Sequence, residues 1–112
     1  NLVDGGTGAN STDSVDVPAL FVDGDYIDFQ YAVSKLLNEV TWRANGAFDF
    51  GNWKMTLGGE TSNTFAVAGT GVAVIAITGL TLGGTNARLV KVGLFAGSNT
   101  WFQEVEFQEC TC

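Results

Sequence analysis

The sequence predicts an all-β protein: an antiparallel β-sandwich of eight to nine short strands, of which the jelly roll is one form. Three observations predict this class. Only 15 % of the residues are charged and glycine occurs 15 times, a composition that suits strands and turns better than helices. Apolar and polar residues alternate along several segments, as they do in half-buried strands. Turn-forming pairs rich in glycine and asparagine separate these segments at spacings of about 8–12 residues.

The chain of 112 residues has the length of one domain. Residues 1–13 are mostly Gly, Asn, Ser, Thr and Asp and predict an extended N-terminal arm. Residues 14–109 are expected to form the single β-sandwich domain, and residues 110–112 a Cys-x-Cys tail. Pro18 interrupts the apolar segment 15–22, which is therefore predicted as an edge strand or as part of the arm, because proline cannot donate to a central ladder.

The first predicted strand follows that segment. Ile27, Phe29, Tyr31 and Val33 alternate with polar or small residues, so these four side chains are expected to share the buried face.

The stretch TWRANGAFDFGNWKMTLGG, residues 41–59, contains two tryptophans and two phenylalanines. It predicts either a ligand-binding face or two well-filled hairpins. Asn45-Gly46 is the strongest short hairpin signal, and Gly51-Asn52 predicts a second turn. The tryptophans share the phase of their apolar neighbours, which favours the core.

In the second half, residues 72–78 are apolar on both faces, which predicts a central strand covered on both sides. Residues 88–95 are expected to form another strand, in which Leu89 is apolar and Lys91 is polar. Trp101, Val105 and Phe107 then alternate with acidic residues in the last predicted strand.

The charge balance disfavours some partners. The formal net charge is −7 and only five residues are basic, whereas nucleic-acid binding needs clustered Lys and Arg. No apolar run reaches the roughly 18 residues of a membrane span. We therefore expect no nucleic acid as a partner and no membrane span.

Catalysis is not expected. The chain contains no histidine, which removes the commonest general base and most nucleophile pairs. The spacing of the acidic residues shows no facing carboxylate pair. We therefore expect a protein that is not an enzyme and that needs no cofactor, with Ca²⁺ as the one ion for which ligands are evident.

That metal hypothesis concerns the pattern Asp23-Gly24-Asp25 followed by Asp28. Three carboxylates around a glycine turn suit the oxygen preference of Ca²⁺. The alternative is an Asp-Gly turn whose carboxylates face water, which the frequency of Asp and Gly in turns favours.

A carbohydrate hypothesis concerns Trp42, Trp53 and Trp101, because indole rings on β-sandwich surfaces stack on sugars. The same residues are expected in the core from their phase, so the hypothesis depends on their exposure.

The C-terminal pair Cys110 and Cys112 is too close for an easy bridge to itself. In an oxidising compartment both sulfurs are then left for other copies of the chain. The alternative is an unpaired, frayed tail. A chain that begins with Asn rather than Met also fits a processed protein outside the cytosol. The expected location is extracellular or on a virion surface.

The functional expectation is a structural subunit that assembles into an extracellular, pilus-like filament or into a virion surface. Its partners are copies of itself, through exchange of the N-terminal segment and through disulfides. The residues assigned to assembly are Val15, Val17, Leu20, Val22, Cys110 and Cys112. The alternative is a carbohydrate-binding module of a larger secreted protein.

Overall fold

The computed structural model describes residues 22–93 and 102–110, with the side chains of 45 and 102–104 outside that description. Within these ranges there are six strands and no helix, so no helix that could span a membrane is found there. The strands are β1 (Tyr26–Lys35), β2 (Leu37–Leu57), β3 (Glu60–Thr61), β4 (Phe65–Ala76), β5 (Gly84–Val92) and β6 (Phe102–Glu109). Every pairing among them is antiparallel.

The long strand β2 organises the sheet. Along one side it pairs with β4, from Glu39 opposite Ala76 to Trp53 opposite Phe65. Along its other side the partner changes: β6 covers the N-terminal half of β2 and β5 covers the C-terminal half. β1 is added outside β5. The sheet therefore curls into a nearly closed, barrel-like arrangement, and the predicted β-sandwich or jelly roll is not confirmed.

The two predicted hairpin turns within residues 41–59 are wrong. β2 continues through both positions, and the β2–β4 register shifts between Arg43 and Ala47 and again between Asp49 and Gly51. Gly46 and Gly51 have φ of 94° and 75°, the conformation that glycine supplies at β-bulges. The same residue types that make a tight turn thus bend one strand here, because β4 supplies a continuous partner across both positions.

The core is formed mainly by the aromatic residues of β2. Trp42, Phe50 and Trp53 are fully buried, and Phe48 is nearly so. The ring centroids of Trp42 and Trp53 are 5.1 Å apart, and those of Phe48 and Phe50 are 4.9 Å apart. The prediction that these side chains belong to the core is confirmed.

Two predictions about buried faces are corrected. Val72 and Val74 are 41 % and 62 % exposed, so β4 is not covered on both sides. Among the described residues β4 pairs only with β2, which leaves its outer edge open. Val33 is 61 % exposed, because the regular β1–β5 register ends at Gln30.

Lys91 is buried although it is charged. It lies on the inner face of β5 with Ala87 and Leu89 and is only 1 % exposed. The three residues share this face because side chains alternate along a strand.

Candidate functional site

The sheet fails to close between β1 and β6. Within residues 22–93 and 102–110, β1 pairs only with β5, and β6 pairs only with β2. Their side chains nevertheless meet, since the rings of Phe29 and Phe107 lie edge to face with centroids 4.9 Å apart. We call this groove, with the two strand edges that border it, the seam.

The seam has a volume of about 580 Å³ and is lined by residues of two strands. Val105 is fully buried, while Phe29, Tyr31 and Phe107 are half-buried. Its residues are Asp28, Phe29, Gln30 and Tyr31 on β1 and Val105, Glu106 and Phe107 on β6. The seam thus combines an apolar floor with a polar rim, the usual character of a protein binding site.

Ion pairs fix the rim. The Arg88 guanidinium donates to both carboxylate oxygens of Asp28, at 2.7 and 3.0 Å, and these bonds hold the pKa of Asp28 below its ordinary value. The same guanidinium lies 3.8 Å from the ring centroid of Tyr26. On β6, Glu106 is 3.9 Å from Arg43. The acidic rim is therefore partly neutralised by neighbours outside the seam.

Tyr31 is the last β1 residue of the seam and is half-buried. Burial raises the pKa of its phenol, and the nearby Glu109 carboxylate adds to that effect. Lys35 stands 5.6 Å from the Tyr31 ring centroid and 3.9 Å from Glu109. The phenol therefore stays neutral at physiological pH and offers an uncharged polar group.

A second, more polar cleft of about 590 Å³ lies where β2, β3 and β5 meet. It is bordered by the glycine turn 58–59 and by Thr56, Thr61, Asn86 and Arg88, among others. Glu60 at its border accepts hydrogen bonds from Thr81 and Leu82 and is thus committed to holding the loop that precedes β5.

The three acidic residues of the metal hypothesis have separate partners. Asp23 accepts a hydrogen bond from Gly93 N at 2.7 Å, and Asp25 accepts one from Val22 N at 2.9 Å. Asp28 is paired with Arg88. No group of three or more acidic or cysteine side chains that could hold a metal is found in the part of the chain that the structure describes.

Of the three tryptophans in the carbohydrate hypothesis, the two that the structure describes are not at the surface. Trp42 and Trp53 are fully buried, and Trp53 Nε1 donates to Phe50 O at 2.9 Å. Neither ring can present a face to a sugar. Trp101 lies outside the described residues.

Most residues assigned to assembly also lie beyond the described ranges: Val15, Val17, Leu20 and Cys112. Val22 is 53 % exposed. Cys110 is disulfide-bonded, so the expectation that both sulfurs are left unbonded within the chain does not hold for it. Its backbone N–H donates to Leu36 O at 2.7 Å, which ties the end of β6 to the junction of β1 and β2.

Sequence reasoning missed the seam and the interior lysine. Phe29 and Phe107 stand far apart in sequence, and only their apolar phase in two strands indicated that both face inward. Lys91 Nζ donates to the carbonyl oxygens of Asn52, Val92 and Gly93 at 3.3, 2.8 and 3.2 Å. Burial lowers the pKa of this lysine, while Asp23 and Asp49 act in the opposite direction. No local sequence pattern predicts that a buried lysine will donate to three backbone carbonyls.

Comparison of the chain with protein-family models, curated proteins and solved structures finds no match.

Proposed function

We propose that this protein is a structural subunit that self-associates through its N-terminal segment, as part of an extracellular filament or a virion surface. The observation that carries the proposal is the number of open strand edges. Among the described strands, β1, β3, β4 and β6 each have one side without a partner. Unpaired edges are ready templates for another strand.

The exposed apolar side chains support this proposal. Val33 on β1 and Val72 and Val74 on β4 are all more than 40 % exposed. Proteins that must remain monomeric usually protect their edges with charges, prolines or covering loops. Only five Lys and Arg residues are available in the whole chain, and two of them, Arg88 and Lys91, are committed to internal bonds.

The N-terminal segment supplies a suitable strand. Val15 and Val17 alternate with polar residues, and the glycine-rich residues 1–13 before them provide reach. Disulfides between copies through Cys110 and Cys112 are a second element of the proposal. Because Cys110 is already disulfide-bonded, such links need a small-molecule thiol to start the exchange. Its thiolate opens the disulfide of one copy, and the cysteine thiolate released there attacks the disulfide of the next copy, which frees a thiolate in turn.

The test is the mass of the full-length protein in solution, measured by light scattering after size exclusion, together with negative-stain microscopy. We expect concentration-dependent oligomers or filaments that the double substitution Val15→Glu/Val17→Glu disperses. Leu82→Glu is the matched control, because Leu82 is 58 % exposed on a loop. A wild-type protein that stays monomeric at high concentration would contradict the proposal, as would a double variant that assembles like the wild type.

A carbohydrate-binding module is the second candidate, now supported by the polar cleft rather than by the tryptophans. Threonine, asparagine and arginine side chains border that cleft, and the exposed ring of Tyr26 lies against Arg88. A glycan screen tests it: binding that Arg88→Ala abolishes and Lys54→Ala leaves intact would favour this candidate.

A further inference from the structure

We infer that the seam between β1 and β6 is the acceptor site for an extended strand from a second copy of this chain, and that the inserted strand is residues 14–17. This inference rests on the proposed function and names its binding site.

The two borders of the seam are too far apart to pair directly with each other. Hydrogen-bonded strands lie about 4.8 Å apart, so two strands flanking a vacant position are separated by roughly 9.6 Å. With isolated exceptions, the Cα atoms of β1 and β6 are more than 8 Å apart. Only side chains cross the gap, at Phe29 and Phe107.

Both borders of the seam offer backbone hydrogen bonds. β1 and β6 each use one side for their partner in the sheet, which leaves alternate N–H and C=O groups on the other side. A strand lying between them bonds to both edges at once. Such main-chain pairing gives affinity, and the side chains below and above the strand give specificity.

The lining of the seam specifies an alternating strand. Its floor is apolar, with Phe29, Val105 and Phe107, whereas Asp28 and Glu106 on the rim are exposed. A matching strand has apolar residues at every second position and polar residues between them.

The sequence 14–17, Ser-Val-Asp-Val, has this alternation, with Val15 and Val17 facing the floor. On β1 the seam spans four residues, 28–31, about 13 Å of strand, which matches the four residues that we assign. Pro18 follows directly and ends the paired stretch, because proline has no N–H for the ladder.

The turn before β1 argues that the strand comes from another copy. Asp25 N donates to Val22 O at 3.0 Å, and Gly24 has φ of 92°, which together define a β-turn. A hairpin continued from this turn along β1 would place Asp16 beside Tyr31 on the core side. It would also direct Val15 and Val17 outward. A strand from a second copy is free of this register.

Photo-crosslinking of the full-length protein tests the inference. The photoreactive residue p-benzoylphenylalanine replaces Gln30, which is exposed on the rim of the seam. The matched control carries it at Val74, which is exposed on the edge of β4. Each unlabelled variant is mixed with ¹⁵N-labelled wild-type protein, irradiated and mapped by mass spectrometry, and the mass of every sample is measured by light scattering.

We expect position 30 to crosslink to the labelled peptide that contains residues 14–17, and position 74 not to do so. Repeating the experiment with labelled Val15→Glu/Val17→Glu protein should abolish the crosslink. Oligomers without this crosslink, or with crosslinks to unlabelled peptide alone, would overturn the inference and leave self-association standing. A monomeric protein would overturn both.

Discussion

Lys91 holds three backbone carbonyls together at the end of β5. Its ammonium group donates to Asn52 O, Val92 O and Gly93 O, and thereby joins the bulged part of β2 to the end of β5. The apolar stem lies in the core while the charge is satisfied by the backbone. Lys91 therefore has a structural role in the interior, although a charged residue is usually expected at the surface.

Replacing Lys91 by Met is expected to lower the free energy of unfolding by about 1–3 kcal/mol at neutral pH, because buried carbonyls lose their donor. Urea unfolding measures the change, and Lys54→Met is the control, since Lys54 is half-buried on β2. Equal losses in the two variants would contradict the structural role.

The pH dependence of the free energy of unfolding gives a second comparison between the wild type and Lys91→Met. Burial lowers the pKa of Lys91 below 10.5, so the unfolded chain binds this proton more tightly than the folded one. The contribution of Lys91 to stability therefore increases as pH rises from the lowered pKa toward 10.5. This rise should be absent from Lys91→Met. The raised pKa of Tyr31 acts oppositely above pH 10.0, but equally in both proteins.

Glu60 fastens the loop before β5. Its carboxylate accepts from Thr81 N, Leu82 N and the Thr81 hydroxyl at 2.6–2.8 Å. These bonds, led by that from Leu82, lower the pKa of Glu60 below 4.5.

We expect Glu60→Gln to have a lower unfolding midpoint than the wild type at neutral pH, because the amide offers one acceptor in place of a charged carboxylate. A carboxyl group with a depressed folded pKa stabilises the protein above its unfolded value, and this contribution is lost as pH falls through the folded value. The difference between the two proteins should therefore shrink below pH 4.5. Urea midpoints across this range test it, and a constant difference would be evidence against it.

At the scale of elements, two bulges decide the course of β2. Gly46 and Gly51 both have positive φ, so each allows the strand to bend while β4 keeps its pairing. A Cβ at Gly46 would meet nothing within 4 Å, whereas one at Gly51 would lie 2.9 Å from Lys91 Nζ. The two positions thus share a backbone requirement and differ in packing.

Substituting alanine at each position separates the cost of the backbone conformation from the cost of packing. Gly46→Ala should cost about 1–2 kcal/mol, the usual penalty of a left-handed conformation for a residue with a Cβ. Gly51→Ala should cost more, because the added methyl group also displaces the Lys91 ammonium. Chemical unfolding of both variants measures the difference, and an equal or smaller loss for Gly51→Ala would contradict the packing at Lys91.

Sequence patterns predicted the contents of β2 better than its course. The phase of Trp42, Phe48, Phe50 and Trp53 identified core residues correctly, because a period of two depends only on local geometry. Asn45-Gly46 was interpreted as a turn. Whether a glycine with positive φ closes a hairpin or forms a bulge depends on which strand lies opposite, and local sequence does not contain that information.

At the scale of the whole molecule, net charge opposes association. The formal charge is −7, and the strand assigned to the seam brings Asp16 to a rim that already contains Asp28 and Glu106. The Debye length falls from about 30 Å at 0.01 M salt to about 8 Å at 0.15 M, so salt screens this repulsion.

Self-association should therefore strengthen severalfold between about 0.01 and 0.15 M NaCl, as measured by sedimentation equilibrium. The Val15→Glu/Val17→Glu variant should remain monomeric at both concentrations. Weaker association of the wild type at the higher salt concentration would indicate attraction between charges and would contradict burial of an apolar strand.

The sequence by itself determined that the protein is all-β, that the β2 aromatics are internal, and that residues 15–22 form an apolar segment ahead of the first described strand. These properties follow from composition and from the two-residue period of strands, which are local. Only the tertiary structure decided that the sheet curls, that Lys91 is buried against three backbone carbonyls, and that β1 and β6 face each other with unpaired edges. Those features depend on which strands become neighbours, and strand pairing joins residues that are distant in the chain.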